Sequence, residues 1–315
     1  MPQQESDRRH APYTDQPAVG IPDVLRIPIL FVNAYVIRTD DGFVLVDTGV
    51  RGAGETIIRR AITRTFGAGA RPRAIILTHG HFDHAGSAHA LAHTWGVPVY
   101  AHRLELPYLT GQSAYPPQDP TVGGTLANLS RVFPRGPIDL GSHVRVLPEG
   151  GTAPGLDQWR VIHTPGHTPG HVSLYREHDR ALLTGDAVAT MDQESPAELF
   201  RQCRQLRWPP ATFTPDWDAA ERSIHALARL RPSSVAAGHG LPMTGDGVAD
   251  GFDDFARTFT RPSHGRYIKA SAIADERGVR YVPPAVSDPT GRILLATLAA
   301  SVVVAGAAIV RWRST

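Results

Sequence analysis

Residues 78–86 read Thr-His-Gly-His-Phe-Asp-His-Ala-Gly, and this short stretch decides how the rest of the chain is interpreted. It follows an apolar run at 74–77, Ala-Ile-Ile-Leu, which predicts a buried strand leading into the first histidine. Imidazoles and carboxylates are the ligands that zinc and similar metals prefer. On a loop after a strand, two of the four ligands can face one way and two the other, which predicts two metal ions close together. The four are His79, His81, Asp83 and His84.

Three further segments place histidine or aspartate beside glycine where an apolar strand ends. Residues 163–171 read His-Thr-Pro-Gly-His-Thr-Pro-Gly-His, residues 182–186 read Leu-Leu-Thr-Gly-Asp, and residues 236–240 read Ala-Ala-Gly-His-Gly. The end of a strand is a rigid place from which to present a metal ligand. Because all three accompany the central motif, a chance cluster of histidines is a poor explanation.

The composition is that of an ordinary folded protein. The chain has 315 residues, 42% of them apolar and 20% charged, with a formal net charge of +2. No long basic face is evident, so we expect no nucleic-acid partner. The single cysteine, Cys203, excludes an internal disulfide. Residues 1–20 are polar and lack an apolar core for a signal peptide, which predicts a flexible N-terminus.

The C-terminus carries a stretch of uniform apolar character. Residues 293–310 contain no charge and are bracketed by Arg292, Arg311 and Arg313. Their length suits a helix that crosses a bilayer, and they lack the polar face of a surface helix. We therefore expect a hydrophobic C-terminal helix, with a transmembrane tail anchor at 292–312. Because no export signal precedes it, the catalytic domain is expected to be membrane-anchored and cytoplasmic.

The order of predicted elements indicates an α/β chain. Strand patterns alternate with helical ones twice along the sequence, which suggests two packed sheets with helices outside. We predict a catalytic domain at 21–260 and a linker at 261–291. Two long segments, 103–142 and 189–215, are rich in proline and aromatic residues, and loops of this length in a compact domain are usually functional lids.

The ordered set THGHFDHAG, TPGHT, TGD and GHG resembles the metallo-β-lactamase-fold hydrolase superfamily, and within it the glyoxalase II-like branch. The resemblance covers about residues 20–245, and Leu-Val-Asp-Thr-Gly at 45–49 matches as well. It implies a four-layer αβ/βα sandwich (α/β, α+β) with the site at one edge of the two sheets. The glutathione-binding helical domain of a glyoxalase II is not evident here.

The resemblance also implies roles for individual residues. His79, His81 and His167 would hold the first metal, Asp83, His84 and His239 the second, and Asp186 would bridge them. Asp47 would orient the loop without binding metal. In the family pattern the histidine of TPGHT is a ligand and the following Gly-His usually is not. The roles of His163 and His171 therefore stay open.

The reaction that the resemblance implies is hydrolysis through a hydroxide shared by two zinc ions, with iron or manganese as alternatives. Asp83 would be the catalytic residue that orients the hydroxide and relays its proton. The expected substrate is a small-molecule ester, thioester or lactone with an apolar acyl part. Asp186 stands where many zinc β-lactamases carry cysteine, which argues against a β-lactam. A mononuclear iron sulfur dioxygenase on the same fold and a non-catalytic scaffold are the alternatives, and the oligomeric state is open.

Overall fold

The computed structural model describes residues 20–134, 136–148, 151–195, 197 and 204–288. Two six-stranded β-sheets form the centre of this part of the chain. The strands of the first sheet lie in chain order, antiparallel from β1 to β3 and parallel from β3 to β6. They are β1 (Val24–Ile29), β2 (Val32–Thr39), β3 (Gly42–Val46), β4 (Ile75–Ile76), β5 (Val99–Ala101) and β6 (Val144–Val146).

The second sheet contains the later strands in the spatial order β12-β11-β10-β9-β8-β7. All its pairs are antiparallel except β10 with β11, which run parallel. Its strands are β7 (Thr152–Ala153), β8 (Leu156–His163), β9 (Val172–Arg176), β10 (Ala181–Gly185), β11 (Ser234–Ala237) and β12 (Met243–Thr244).

Helices cover the outer face of each sheet. Helix α1 (Ala53–Phe66) buries Ile58 and Ile62, one turn apart, and packs with α3 (Ala88–Trp95) against the first sheet. Helix α6 (Trp217–Ala228) begins at Asp216, whose carboxylate accepts a hydrogen bond from the Ala219 N–H at 2.9 Å. It packs with α7 (Val248–Arg257) against the second sheet.

A third core lies between the sheets and completes the helix–sheet–sheet–helix order. Tyr35 and Ile37 of the first sheet lie in one buried cluster with Trp159 and Leu174 of the second. This mixed α/β arrangement is the predicted one. The predicted hairpin at Asp41-Gly42 is also present, since Thr39 pairs with Gly42.

Direct hydrogen bonds join the two sheets near the end of β11. The Tyr35 hydroxyl donates to the carbonyl of Ala237 at 2.7 Å, and the Asn33 N–H donates to the carbonyl of Gly238 at 2.8 Å. These bonds hold the residue before His239 against the first sheet. Ligands carried by the two sheets can therefore meet at one edge.

Helix α2 (Phe82–Ala85) lies in the central motif, and α4 (Leu106–Leu109) and α5 (Thr125–Leu129) lie in the first predicted lid. Within 261–288, strands β13 (Ile273–Asp275) and β14 (Gly278–Tyr281) form a two-stranded sheet. Tyr267 is buried in a cluster with Trp217.

The prediction of a transmembrane tail anchor, and with it the membrane-anchored location, is overturned. Across the residues described by the structure, no helix is both long enough and apolar enough to cross a bilayer. A helical span of a bilayer needs about 20 apolar residues. The stretch 293–310, on which the predicted hydrophobic helix fell, lies outside the described residues, as does Cys203.

Candidate metal centre

The central motif lies directly after the short strand β4. His79 and His81 occupy the loop, and Asp83 and His84 are on the first turn of α2. The structure brings the seven predicted ligands together in three overlapping groups, in each of which the ligand atoms lie within 4.8 Å of one another. The groups are His79, His81 and His167; His79, His84 and Asp186; and Asp83, His84 and His239.

Asp186 lies in the middle of these groups. It follows the last residue of β10, and its side chain is 3% exposed. One carboxylate oxygen is 3.4 Å from the Nε2 atom of His84. The other is 3.5 Å from Nε2 of His167 and 3.2 Å from Nε2 of His239. The carboxylate therefore faces a histidine from each of the other three ligand segments.

The donor atoms at the centre suit a metal ion. The Nε2 atoms of His79 and His84 and one oxygen of Asp186 are buried and have no hydrogen-bond partner among the described residues. Buried polar atoms normally have a partner, so three such atoms pointing to one place require an explanation. Coordination of a metal explains all three.

The electrostatics of His79, His81 and Asp186 agree with a coordinating set. Burial, and next the charge of His84, lower the pKa of His79 well below its usual range. Burial lowers the pKa of His81 to about 3. For Asp186, burial opposes ionisation, but His239 and His84 lower the carboxyl pKa well below its ordinary value. Neutral imidazoles and an ionised carboxylate are the forms that bind metal. For His84 and His239, burial lowers the pKa but the charge of Asp186 raises it above its usual value, so a metal would have to displace a proton from these two rings.

Asp47 contacts His84, one of the histidines of the metal centre. It follows β3 in the left-handed backbone region, with φ of 60°. One oxygen accepts the Thr78 N–H at 2.8 Å, and the other accepts the Thr78 hydroxyl and lies 2.8 Å from Nδ1 of His84. This contact fixes the ring so that Nε2 faces Asp186, as the predicted orienting role requires.

The surroundings of His163 and His171, the two histidines whose roles were open, are different. Both ring nitrogens of His171 have protein partners: Nδ1 lies 2.8 Å from the Thr164 hydroxyl, and Nε2 accepts the Asp186 N–H at 2.9 Å. His171 therefore supports the backbone of Asp186 and has no nitrogen left for a metal. His163 is exposed, stacks on His102 and lies 2.9 Å from the carbonyl of Pro169.

Glu105 is the residue that the motif analysis missed. It lies in the predicted lid, is fully buried, and accepts four hydrogen bonds. One oxygen accepts the Thr168 hydroxyl and the Gly170 N–H, both at 2.8 Å. The other accepts the Gly80 N–H at 2.9 Å and the Tyr115 hydroxyl. Glu105 thus ties the loop of His79 and His81 to the loop of His167.

Comparison with known proteins agrees with this geometry. The family model of the metallo-beta-lactamase superfamily matches residues 27–239. The probable metallo-hydrolase YflN of Bacillus subtilis (strain 168) is 48% identical over 223 residues, which are 70% of this chain and 84% of that protein. The probable metallo-hydrolase YybB of the same organism is 29% identical over 216 residues, 69% of this chain and 82% of that protein.

A solved structure of a beta-lactamase domain protein from Burkholderia ambifaria superposes with a TM-score of 0.52 and 22% identity. The match covers 76% of this chain and 74% of that one, and at this identity it shows the fold alone.

The fold and the cluster of histidines and aspartates define a metal-dependent hydrolase. The chain belongs to the metallo-beta-lactamase superfamily, as the resemblance of its motifs predicted. The relatives YflN and YybB are described as probable metallo-hydrolases, and a small-molecule substrate follows from that class.

Proposed function

We propose that this chain is a dinuclear metal-dependent hydrolase that breaks the acyl–oxygen or acyl–sulfur bond of an ester, thioester or lactone. The observation that carries the proposal is the position of Asp186. Its carboxylate lies between histidines that belong to two separable groups, each with enough donors for one ion. One group is His79, His81 and His167, the other is Asp83, His84 and His239, and Asp186 would contact both ions.

Zinc suits three-nitrogen and mixed nitrogen and oxygen sets of this kind. Bound ions would supply a hydroxide nucleophile at neutral pH, since they lower the pKa of water to about 7, and would polarise the scissile carbonyl. The protein contributes a fixed, buried arrangement. Asp47 orients His84, and His171 holds the backbone N–H of Asp186.

Asp83 is the residue to which we assign proton transfer. Two carboxylates line the cavity beside the centre, those of Asp83 and Asp186. Asp186 faces histidines of both groups, whereas Asp83 contacts only the second, with 3.5 Å between its oxygen and Nε2 of His239. One oxygen of Asp83 is thus available to orient the nucleophile and to carry its proton to the leaving group.

The names of the relatives support hydrolysis, since YflN and YybB are both described as probable metallo-hydrolases. The predicted lids also agree with an acyl substrate. Segments 103–142 and 189–215 both contribute side chains to the cavity at the centre. A β-lactam is disfavoured because Asp186 stands where many zinc β-lactamases have cysteine.

The test is metal analysis combined with a substrate panel. We expect two zinc ions per chain and hydrolysis of at least one member of a panel of acyl-glutathione, acyl-CoA, ester and lactone substrates. His79→Ala should lose the activity, and His178→Ala, whose side chain is 60% exposed, should keep it. One iron per chain with oxygen consumption on a persulfide would overturn the proposal and favour a sulfur dioxygenase.

A further inference from the structure

An apolar cavity of about 250 Å³ opens beside the metal centre. Its floor consists of five of the predicted ligands, so a molecule in the cavity touches the reacting groups. The remaining wall comes from Phe31 in the β1–β2 turn, from Phe82 in α2, and from side chains within residues 125–133, 191–193 and 210–213. The floor residues are His81, Asp83, His167, Asp186 and His239.

Aromatic rings form a continuous side of this cavity. Phe213 lies 5.3 Å from the ring of His81, Phe133 lies 6.1 Å from Phe213, and Phe82 lies 5.4 Å from Phe133, as ring centroid distances. The row of rings begins beside the predicted metal ligand His81. Leu126, Leu129, Met191 and Pro210 complete the apolar lining. A substrate whose carbonyl reaches the floor would place its chain along these rings.

The charge of the lining is equally informative. Outside the five floor residues, none of the described side chains that line the cavity is ionisable, and the polar ones are Thr125 and Gln193. A carboxylate or phosphate held along this wall, away from the floor, would lose its water and find no cation, which is strongly unfavourable. A hydrocarbon chain has no charge to desolvate there, and it gains about 0.8 kcal/mol of binding free energy per buried methylene, or about fourfold in affinity.

We propose that this cavity binds the acyl chain of the substrate and selects an uncharged, linear hydrocarbon chain, with Phe133 as a specificity-determining residue. This inference rests on the proposed function, because it places the cleaved carbonyl at the metal ligands. It deepens that function by naming the substrate class. This class is esters, thioesters or lactones of medium-chain fatty acids whose acyl chain carries no charged group.

The first experiment needs no variant. The zinc-loaded protein is assayed with 4-nitrophenyl esters of linear acids from acetyl to decanoyl. We expect kcat/KM to rise by about fourfold per methylene while the chain enters the cavity, and then to level off. An ester of the same length with a terminal carboxylate should react at least tenfold more slowly. A profile independent of length, or a preference for the charged chain, would overturn the inference.

Phe133→Ala and Val132→Ala form a matched pair, because the neighbouring Val132 is 81% exposed and does not line the cavity. In Phe133→Ala the gain per methylene should fall, and the levelling-off should move to longer chains. Val132→Ala should keep the wild-type profile. Equal profiles in Phe133→Ala and wild type would contradict the assigned role of Phe133.

A binding measurement separates this inference from the proposed function. The N-methyl amides of the same acids are titrated calorimetrically, since they place the same chain without being cleaved. If no ester, thioester or lactone is hydrolysed but amide affinity rises with length, the proposed function fails and the chain site stands. If esters are hydrolysed and amide affinity does not change with length, the chain site fails alone.

Discussion

Glu105 accepts a hydrogen bond from the backbone N–H of Gly80, 2.9 Å away, between the first two predicted metal ligands. The same carboxylate accepts from Thr168 and Gly170, which follow His167. The four donors to Glu105 do not include any of the predicted metal ligands of the first group. The residue acts on the centre by fixing the two loops that carry that group, and it is therefore a positioning residue.

Replacement of Glu105 should weaken the metal centre more than it weakens the fold. In Glu105→Gln one oxygen becomes an NH₂ group that faces hydrogen-bond donors, so one of the two loops loses its anchor. We expect metal affinity to fall by about 10- to 100-fold, as is usual for such supporting contacts. We also expect kcat to fall with little change in KM. Zinc titration with a competing chelator measures the affinity.

Two variants make that experiment decisive. Tyr115→Phe removes only one of the four donors to Glu105, so its loss of affinity should be smaller. Glu177→Gln changes a carboxylate whose side chain is 75% exposed and should match the wild type. A Glu105→Gln protein that unfolds at a lower temperature without zinc, yet binds zinc as the wild type does, would reduce Glu105 to a purely structural role.

Gly238 should not tolerate a side chain. A Cβ atom at this position would lie 2.1 Å from an Asp186 oxygen and 2.6 Å from Cε1 of His84. Gly238→Ala should therefore displace Asp186 and lower the zinc content below that of the wild type, with a stability cost of about 1–3 kcal/mol. Metal analysis and thermal unfolding measure the two effects.

The matched control is Gly251→Ala in α7, where nothing lies within 4 Å of the added Cβ atom. There the exchange should stabilise the helix by about 0.5–1 kcal/mol and leave the zinc content unchanged. Full zinc binding by Gly238→Ala would mean that the Asp186 carboxylate is not held where the structure places it.

The predicted ligands were readable from the sequence because strands present them. His79, Asp186 and His239 each stand next to a glycine shortly after an apolar run, and the runs contain β4, β10 and β11. The alternation of strand and helix patterns also predicted two sheets with outer helices. The strands and helices depend on residues that are close in sequence, so the spacing of apolar residues predicts them.

Glu105 could not be found in this way. Its partners lie 25 and 65 positions along the chain, at Gly80 and Gly170, and no spacing rule connects them. Helix α7 is different, because Val248, Phe252 and Ala256 recur at helical spacing and are buried. That pattern could have predicted the helix. Strands β12 and β13 have two and three residues, too few for any periodic signal.

Asp47 should affect the second predicted metal group more than the first. Its oxygen lies 2.8 Å from Nδ1 of His84, a member of that second group and not of the set His79, His81 and His167. Asp47→Asn keeps the shape but removes the charge that orients the ring. We expect one step of a two-step zinc titration to weaken by about 10- to 100-fold, while the other step changes little. Asp157→Asn, at an exposed position, is the control. Equal weakening of both steps would contradict the separation into two groups.

Glu194 should make the protein less stable as the pH rises towards 8. Burial raises the pKa of this carboxyl to about 7. The hydrogen bonds that the carboxyl accepts from the backbone N–H groups of Ala127 and Leu126 oppose the shift, and the charge of Asp192 adds to it. The folded chain therefore holds the proton more tightly than the unfolded chain. The stability that this supplies is fully present below pH 4.5, the ordinary value, and is lost as the pH rises through about 7.

Glu194→Gln tests this because the amide cannot ionise. Its melting temperature should fall less than that of the wild type between pH 5 and pH 8, and at pH 8 the variant should be the more stable protein. Asp192→Asn should lower the pKa of Glu194 and move the wild-type loss of stability to lower pH. All other titrating groups are common to the wild type and Glu194→Gln, so the difference between these two melting curves isolates Glu194. Parallel curves for wild type and Glu194→Gln from pH 5 to pH 8 would show that the carboxyl ionises alike in the folded and unfolded chains.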